Sequence, residues 1–244
     1  MSMNEDIKVS RRVCPVIFLL DSSGSMDGKP MGAVNEAITG VLPELNSQNE
    51  ENADTEIMIA IMTFSNGAEW VTGENLVSTD YKFNELSAVG MTDMGAAFRK
   101  LNDKLSSKTG FLTRASGSVA PVLFLLSDGV PTDDYKSGLN KLKENPWYKV
   151  AARVAVGYGE SCDDNVLLEF TDNIETVLHT NDPKMLTKMI RFVTITSSMV
   201  ASKTNAVDAD DTNPDDNTAK VGKELEAQGA GELAAGDPDD GFDN

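Results

Sequence analysis

A chain of 244 residues is long enough for one α/β domain of about 200 residues with a real core, plus an appendage. Its 40% hydrophobic content fits an ordinary globule, and it has no run of about 18 apolar residues to cross a bilayer. A net charge of −18 disfavours nucleic acid and anionic membrane surfaces, which would repel it, and favours cations or a basic partner.

In chain order, Val13–Leu20 is a continuous apolar run, the pattern of a strand covered on both faces. Arg11 and Arg12 before it superficially resemble the start of a secretion signal. The run is interrupted by Pro15, however, and ends in Asp21 without a small-residue cleavage pattern. Lys29–Leu45 places Met31, Val34, Ile38, Val41 and Leu45 at helical spacing, and Pro43 is expected to kink or end that helix early. Glu56–Phe64 reads as a second strand and Glu69–Thr72 as a short edge strand.

Met94–Leu105 sets Met94, Ala97, Phe98, Leu101 and Leu105 on one helical face. After a polar loop, Val122–Leu126 is an unbroken apolar strand, Tyr135–Lys143 a helix and Val150–Val156 a strand. Asn165–Phe170 is a short helix and Thr176–His179 a last short strand. Asp182 and Pro183 form an N-cap and N1 pair for a helix that turns Leu186, Ile190, Val193 and Val200 inward. Strands linked by helices imply right-handed crossovers and an α/β fold: a doubly wound, mostly parallel central sheet with one short antiparallel edge strand.

Composition changes near Ala201. Residues 202–244 hold twelve acidic and three basic residues, a net −9, with Phe242 as the one aromatic. The expected division is a domain over residues 1–201 and an acidic, disordered tail over 202–244. A stretch around Val221–Leu225 has the option of a transient helix or docking peptide, against a default of solvated tail. Cys14 and Cys162 have neither CxxC spacing nor a disulfide framework, so Cys14 reads as a core residue and the protein as cytoplasmic. His179 and the Trp147–Tyr148 pair read as structural or packing residues.

Three polar clusters follow strands or precede helices: Asp21-Ser22-Ser23-Gly24-Ser25-Met26, Gly90-Met91-Thr92-Asp93, and Ser127-Asp128-Gly129-Val130-Pro131-Thr132-Asp133. In a doubly wound sheet all three converge outside the carboxyl ends of the strands. Their short oxygen-bearing side chains suit a hard cation, and none offers the His or Cys that zinc or copper prefers. Hydroxyls of Ser23, Ser25 and Thr92, with Asp21 and Asp128 holding waters, would leave the metal electrophilic and wanting one more anionic oxygen. Asp27, Asp93, Asp133 and Asp134 lie close in sequence and read mostly as helix caps.

An apolar strand ending in DxSxS, a Thr before a helix and an apolar strand ending in SDG closely resemble the metal-ion-dependent adhesion site of von Willebrand factor A (vWA) domains. The resemblance covers roughly residues 9–201. It implies that Ser23, Ser25 and Thr92 touch one Mg²⁺ or Mn²⁺, and that Asp21 and Asp128 act mostly through water. It also implies a non-enzymatic, monomeric module that grips a Glu or Asp of a partner protein. The DSSGSMDGKPM and LLSDGVPTDD segments look most like bacterial tellurite-resistance proteins of the TerY type, cytoplasmic domains encoded near a kinase and a phosphatase. Met91 departs from the family pattern, standing where many relatives carry a second glycine.

Two other readings compete. Asp21 at the end of the first strand is also similar to the nucleophile of haloacid-dehalogenase phosphatases, and Asp128 with Asp133 loosely to their metal-binding motif. Those enzymes need a second aspartate two positions on, where Ser23 stands; losing that general acid costs about 10²–10⁴ in rate. The other reading gives the function to the acidic tail, bound to a basic surface.

Overall fold

The computed structural model describes residues 11–106, 108–113, 117–202 and 217–228. In chain order these form β1 (Arg12–Asp21), α1 (Lys29–Glu51), β2 (Thr55–Ser65), β3 (Gly67–Trp70), β4 (Val77–Ser78), α2 (Met94–Lys104) and β5 (Val122–Ser127). There follow α3 (Tyr135–Lys143), α4 (Pro146–Val150), β6 (Ala152–Tyr158), α5 (Asp164–Thr171), β7 (Val177–Thr180), α6 (Pro183–Ser202) and α7 (Asn217–Ala227). The sheet order is β3-β2-β1-β5-β6-β7, with β4 also on β2. The pairs β1–β2, β1–β5, β5–β6 and β6–β7 are parallel, whereas β3 and β4 run antiparallel to β2.

The apolar runs are unbroken because both faces of the central strands are covered. Val16, Phe18 and Leu20 of β1 point into a core shared with α1, α6 and α7. Ile17 and Leu19 point the other way, into a core shared with α2, α3, α4 and α5. Each fully buried Leu, Ile or Phe contributes about 1.5–3 kcal/mol by leaving water, so β1 anchors both layers. Fold class and strand direction match the reading of the sequence. No helix among the described residues is long and apolar enough to cross a membrane.

Four local expectations need correction. The first helix does not end near Pro43 but runs through it to Glu51. Beyond the proline, Leu45 is fully buried and the Asn49 amide pairs with both the N–H and C=O of Ile57, which holds the last turns in place. The edge strand lies two residues earlier than expected, because the chain reverses tightly at Gly67, whose φ is +86°. Val150 closes a short helix rather than opening a strand; Asn145 caps that helix and Pro146 starts it.

The fourth correction concerns the tail. Asn217–Ala227 is a helix, α7, docked on the domain, with Val221 and Leu225 fully buried. The Asn217 amide donates to Val150 O, and the Thr218 hydroxyl donates to Ala151 O while accepting from Arg153 N–H. Polar tail residues thus satisfy backbone groups at the α4–β6 junction, a gain that average composition does not register. The rest of the expected tail, other than Ser202 and Gln228, lies outside the described residues.

Candidate metal centre

The parallel register carries β1 and β5 to the same edge, where Asp21 and Ser127 end their strands. After Asp21 the chain makes a single 3-10 turn, Gly24–Met26, pinned by the fully buried Met26. Three backbone bonds seat this loop: Ser22 N–H to Phe64 O, Val89 N–H to Ser22 O, and Gly24 N–H to Gly90 O. The first two polar clusters are therefore held side by side, though some 65 residues apart in the chain.

All five expected site residues lie here. Asp21 is fully buried, Ser23, Thr92 and Asp128 are nearly so, and Ser25 is exposed. The Ser23 amide donates to Asp21 Oδ1 at 2.8 Å, the Ser23 and Ser25 hydroxyls lie 3.0 Å apart, and Ser25 Oγ donates to Asp128 Oδ1 at 2.9 Å. Thr92 joins from the third side. Its N–H donates to Thr132 Oγ1 at 3.0 Å, and it accepts from Thr132 N–H at 2.9 Å. Its hydroxyl lies 3.7 Å from where a side chain on Gly129 would begin.

Burial raises the Asp21 carboxyl above its ordinary pKa, against hydrogen bonds from Ser127 and Ser23 that lower it. Burial also raises Asp128, and the nearby Asp21 charge pushes the same way. The leading influences on this pair include no basic side chain. Two buried carboxylates facing one another among hydroxyls carry a desolvation cost that a bound cation offsets. An all-oxygen donor set of this kind fits a hard divalent ion.

Most neighbouring aspartates do something else. Asp133 accepts from Gly95 and Ala96 N–H at 2.8 and 2.9 Å, capping α2 from outside its own helix. Asp93 accepts from Gly67 N–H and Asp134 from Ser137 N–H. Ser127 is the contributor that the reading of the sequence missed: its hydroxyl donates to Asp21 Oδ2 at 2.5 Å. The available signal was its place beside Asp128 at a strand end. The bland expectations hold elsewhere, since Cys14 is buried and Trp147 and Tyr148 pack in the core.

The carboxyl edge of this mostly parallel sheet gathers oxygen-bearing side chains, the place where α/β domains bind their ligands. The chain belongs to the von Willebrand factor type A domain family, whose model matches residues 16–191. That family consists of protein-interaction modules that are generally not enzymes.

Solved structures agree on the fold. A von Willebrand factor type A protein from Catenulispora acidiphila is 23% identical with a TM-score of 0.57, over 78% of this chain and 43% of that one. The ArnB paralog VWA2 from Sulfolobus acidocaldarius is 18% identical with a TM-score of 0.54, over 75% and 45%. Proximal thread matrix protein 1 from the mussel byssus, with a zinc-occupied MIDAS motif, is 18% identical with a TM-score of 0.56, over 78% and 46%. The chain thus spans less than half the length of these structures. No curated protein matches it.

Proposed function

We propose that the domain is a metal-dependent protein-binding module without catalytic activity, in which Asp21, Ser23, Ser25, Thr92 and Asp128 hold one divalent cation, Mg²⁺ or Mn²⁺. The bound ion supplies an electrophilic position for a Glu or Asp carboxylate of a partner protein. The observation that carries this reading is the oxygen-only cluster at the sheet edge, rimmed by exposed apolar side chains. Val89 is 67% exposed, Met91 55% and Val130 59%, and all three sit on the loops that form the cluster. An exposed apolar rim around buried polar groups is the usual composition of a protein-binding surface. The zinc-occupied motif of the byssus protein supports the choice of a divalent metal by likeness.

The phosphatase reading has less support. Asp21 is fully buried, and each of its oxygens accepts a hydrogen bond from the protein, which leaves it poorly placed as a nucleophile. Likeness to tellurite-resistance proteins makes a cytoplasmic kinase–phosphatase or stress-response system the partner class we favour, with the domain acting as a monomer.

The test is capture from native lysate with Mg²⁺, with chelator, and with the Asp21→Ala variant. A partner that needs both metal and Asp21 supports the reading. Capture indifferent to both overturns it.

A further inference from the structure

A second cluster of ligand-type side chains lies on the neighbouring strands. Cys162, Asp164 and His179 bring a sulfur, a carboxylate oxygen and an imidazole nitrogen within 4.8 Å of one another. They come from the loop after β6, the first residue of α5, and β7. Nothing in their spacing along the chain marks them as a set. The register does, because Gly157 of β6 stands directly beside His179 of β7.

The three atoms converge beside the Gly157 backbone. A Cβ placed on Gly157 would lie 3.0 Å from Cys162 Sγ, 3.0 Å from Asp164 Oδ1 and 3.0 Å from His179 Nδ1. Glycine at this position leaves the three atoms room to close up on one another, room that any side chain would take. Atoms bound to one tetrahedral ion at about 2.0–2.3 Å lie about 3.3–3.8 Å apart, so the three must draw in from as much as 4.8 Å while the 2.7 Å Nδ1–Oδ1 pair opens. The ring is oriented for this: Nδ1 faces Asp164 Oδ1 at 2.7 Å, while Nε2 lies 3.3 Å from Asn181 Oδ1. A partner on the outer nitrogen is what fixes the tautomer and direction of a metal-binding histidine. Asp163, not Asp164, caps α5 by accepting from Asn165 N–H, so the Asp164 carboxylate is not engaged as that cap.

We propose that Cys162, Asp164 and His179 form a second metal site, suited to zinc or a similar borderline transition-metal ion and separate from the oxygen cluster around Asp21. A mixed S, N, O set selects such ions as firmly as the all-oxygen set selects magnesium. Three protein ligands leave a fourth position for water or an outside donor. All three residues are partly exposed, which gives the ion a path in. On binding, the thiol proton that now points at Ser127 O leaves to solvent, along with any proton on His179 Nδ1, and no electron moves. Because Cys162 contacts Ser127 O and Ser161 Oγ donates to Asp128 O, the loop is joined to the strand end that carries the first centre.

Metal-stripped full-length protein titrated with Co²⁺ alone tests this. One equivalent should give the intense near-ultraviolet band of a thiolate bound to cobalt, retained in Asp21→Ala and in excess Mg²⁺, and bleached by Zn²⁺. Cys162→Ser should abolish the band. Asn181→Ala, which supplies no ligand atom but removes the partner of His179 Nε2, should fold normally and weaken Co²⁺ binding by about 10–100-fold. Absence of a thiolate band in the parent protein overturns the proposal and leaves a hydrogen-bonded pair of Asp164 and His179. A band that survives Cys162→Ser, or affinity unchanged in Asn181→Ala, overturns it equally.

Discussion

The hydroxyl of Ser127 donates to Asp21 Oδ2 while the amide of Ser23 donates to Oδ1, so one buried carboxylate is held on both oxygens by groups from two strand ends. The orientation of Asp21 is therefore set by β5 as much as by its own loop. Such support around a ligand matters nearly as much as the ligand, because it fixes direction before the ion arrives.

Ser127→Ala should lower Mg²⁺ affinity by about 10–100-fold without removing any of the five proposed ligands. It should also cost about 1–3 kcal/mol of metal-free stability, since a buried acceptor loses its donor. Isothermal titration and thermal melts check the two effects. Unchanged affinity would show that Asp21 is positioned by its own loop alone.

Mg²⁺ itself should stabilise the folded protein by mass action, by about 2.7 kcal/mol at a hundred times its dissociation constant. Asp21→Ala should remove this increment, and so should Thr92→Val, which keeps shape but lacks the hydroxyl. Melting curves with and without Mg²⁺ decide the matter. A full Mg²⁺ response in either variant would take that residue out of the proposed ligand set.

Helix α7 makes a separate demand on stability. Leu225→Ala should cost roughly 2–5 kcal/mol, as for other fully buried leucines, and in a domain of this size each kcal/mol moves Tm by about 2–4 °C. Gly222→Ala should be destabilising too, because the new methyl group would stand 2.9 Å from Glu175 Cβ, which a rotation of the Glu175 side chain cannot move away. The consequence for testing tail function is direct. Removing everything after Ser202 also removes α7 and strips Val150 O and Ala151 O of their donors. A truncation after Gln228 removes tail charge while keeping α7.

Much of the fold was legible because β1, β2, β5 and β6 are buried on both faces and so announce themselves as apolar runs. The DxSxS and SDG segments were legible for a related reason: both sit where such a run stops, and that position puts them on the sheet's carboxyl edge. Other features depend on contacts between distant residues. The continuation of α1 past Pro43 relies on Asn49 pairing with Ile57, which helical periodicity cannot show. Docking of α7 uses two apolar side chains and two polar caps within an acidic segment, too little to alter its composition. The Cys162–Asp164–His179 cluster exists only through the β6–β7 register.

Burial pushes the Cys14 thiol from 9.0 up to about 12. A thiol that loses its proton less readily when folded holds more protons in the native state than in the unfolded one between those two values. Stability must therefore fall as pH rises across that window. Relative to Cys14→Ala, the parent protein should lose stability steadily above about pH 9, and Cys14 should resist alkylation until denaturant is added. Urea melts between pH 8 and 10.5, with mass spectrometry of iodoacetamide-treated protein, test both. Parallel pH profiles, or rapid native labelling of Cys14, would contradict the burial argument.

Gly90 links loop conformation to the first centre. Its φ of +91° lies where other residues are strained, and its carbonyl accepts from Gly24 N–H beside the serines. A Cβ there would stand 2.7 Å from Asn66 Nδ2, and Asn66 Oδ1 accepts from Met91 N–H. Gly90→Ala should thus cost about 1–2 kcal/mol from backbone strain, with a further loss as Asn66 is displaced and the Met91 amide goes unpaired. Asn66→Ala alone removes the same hydrogen bond but also the obstruction, so the double variant should be less destabilised than the sum of the singles. A double-mutant cycle on unfolding free energy measures the difference. Strict additivity would mean that the loop relaxes away from Asn66 and that the two positions are not coupled.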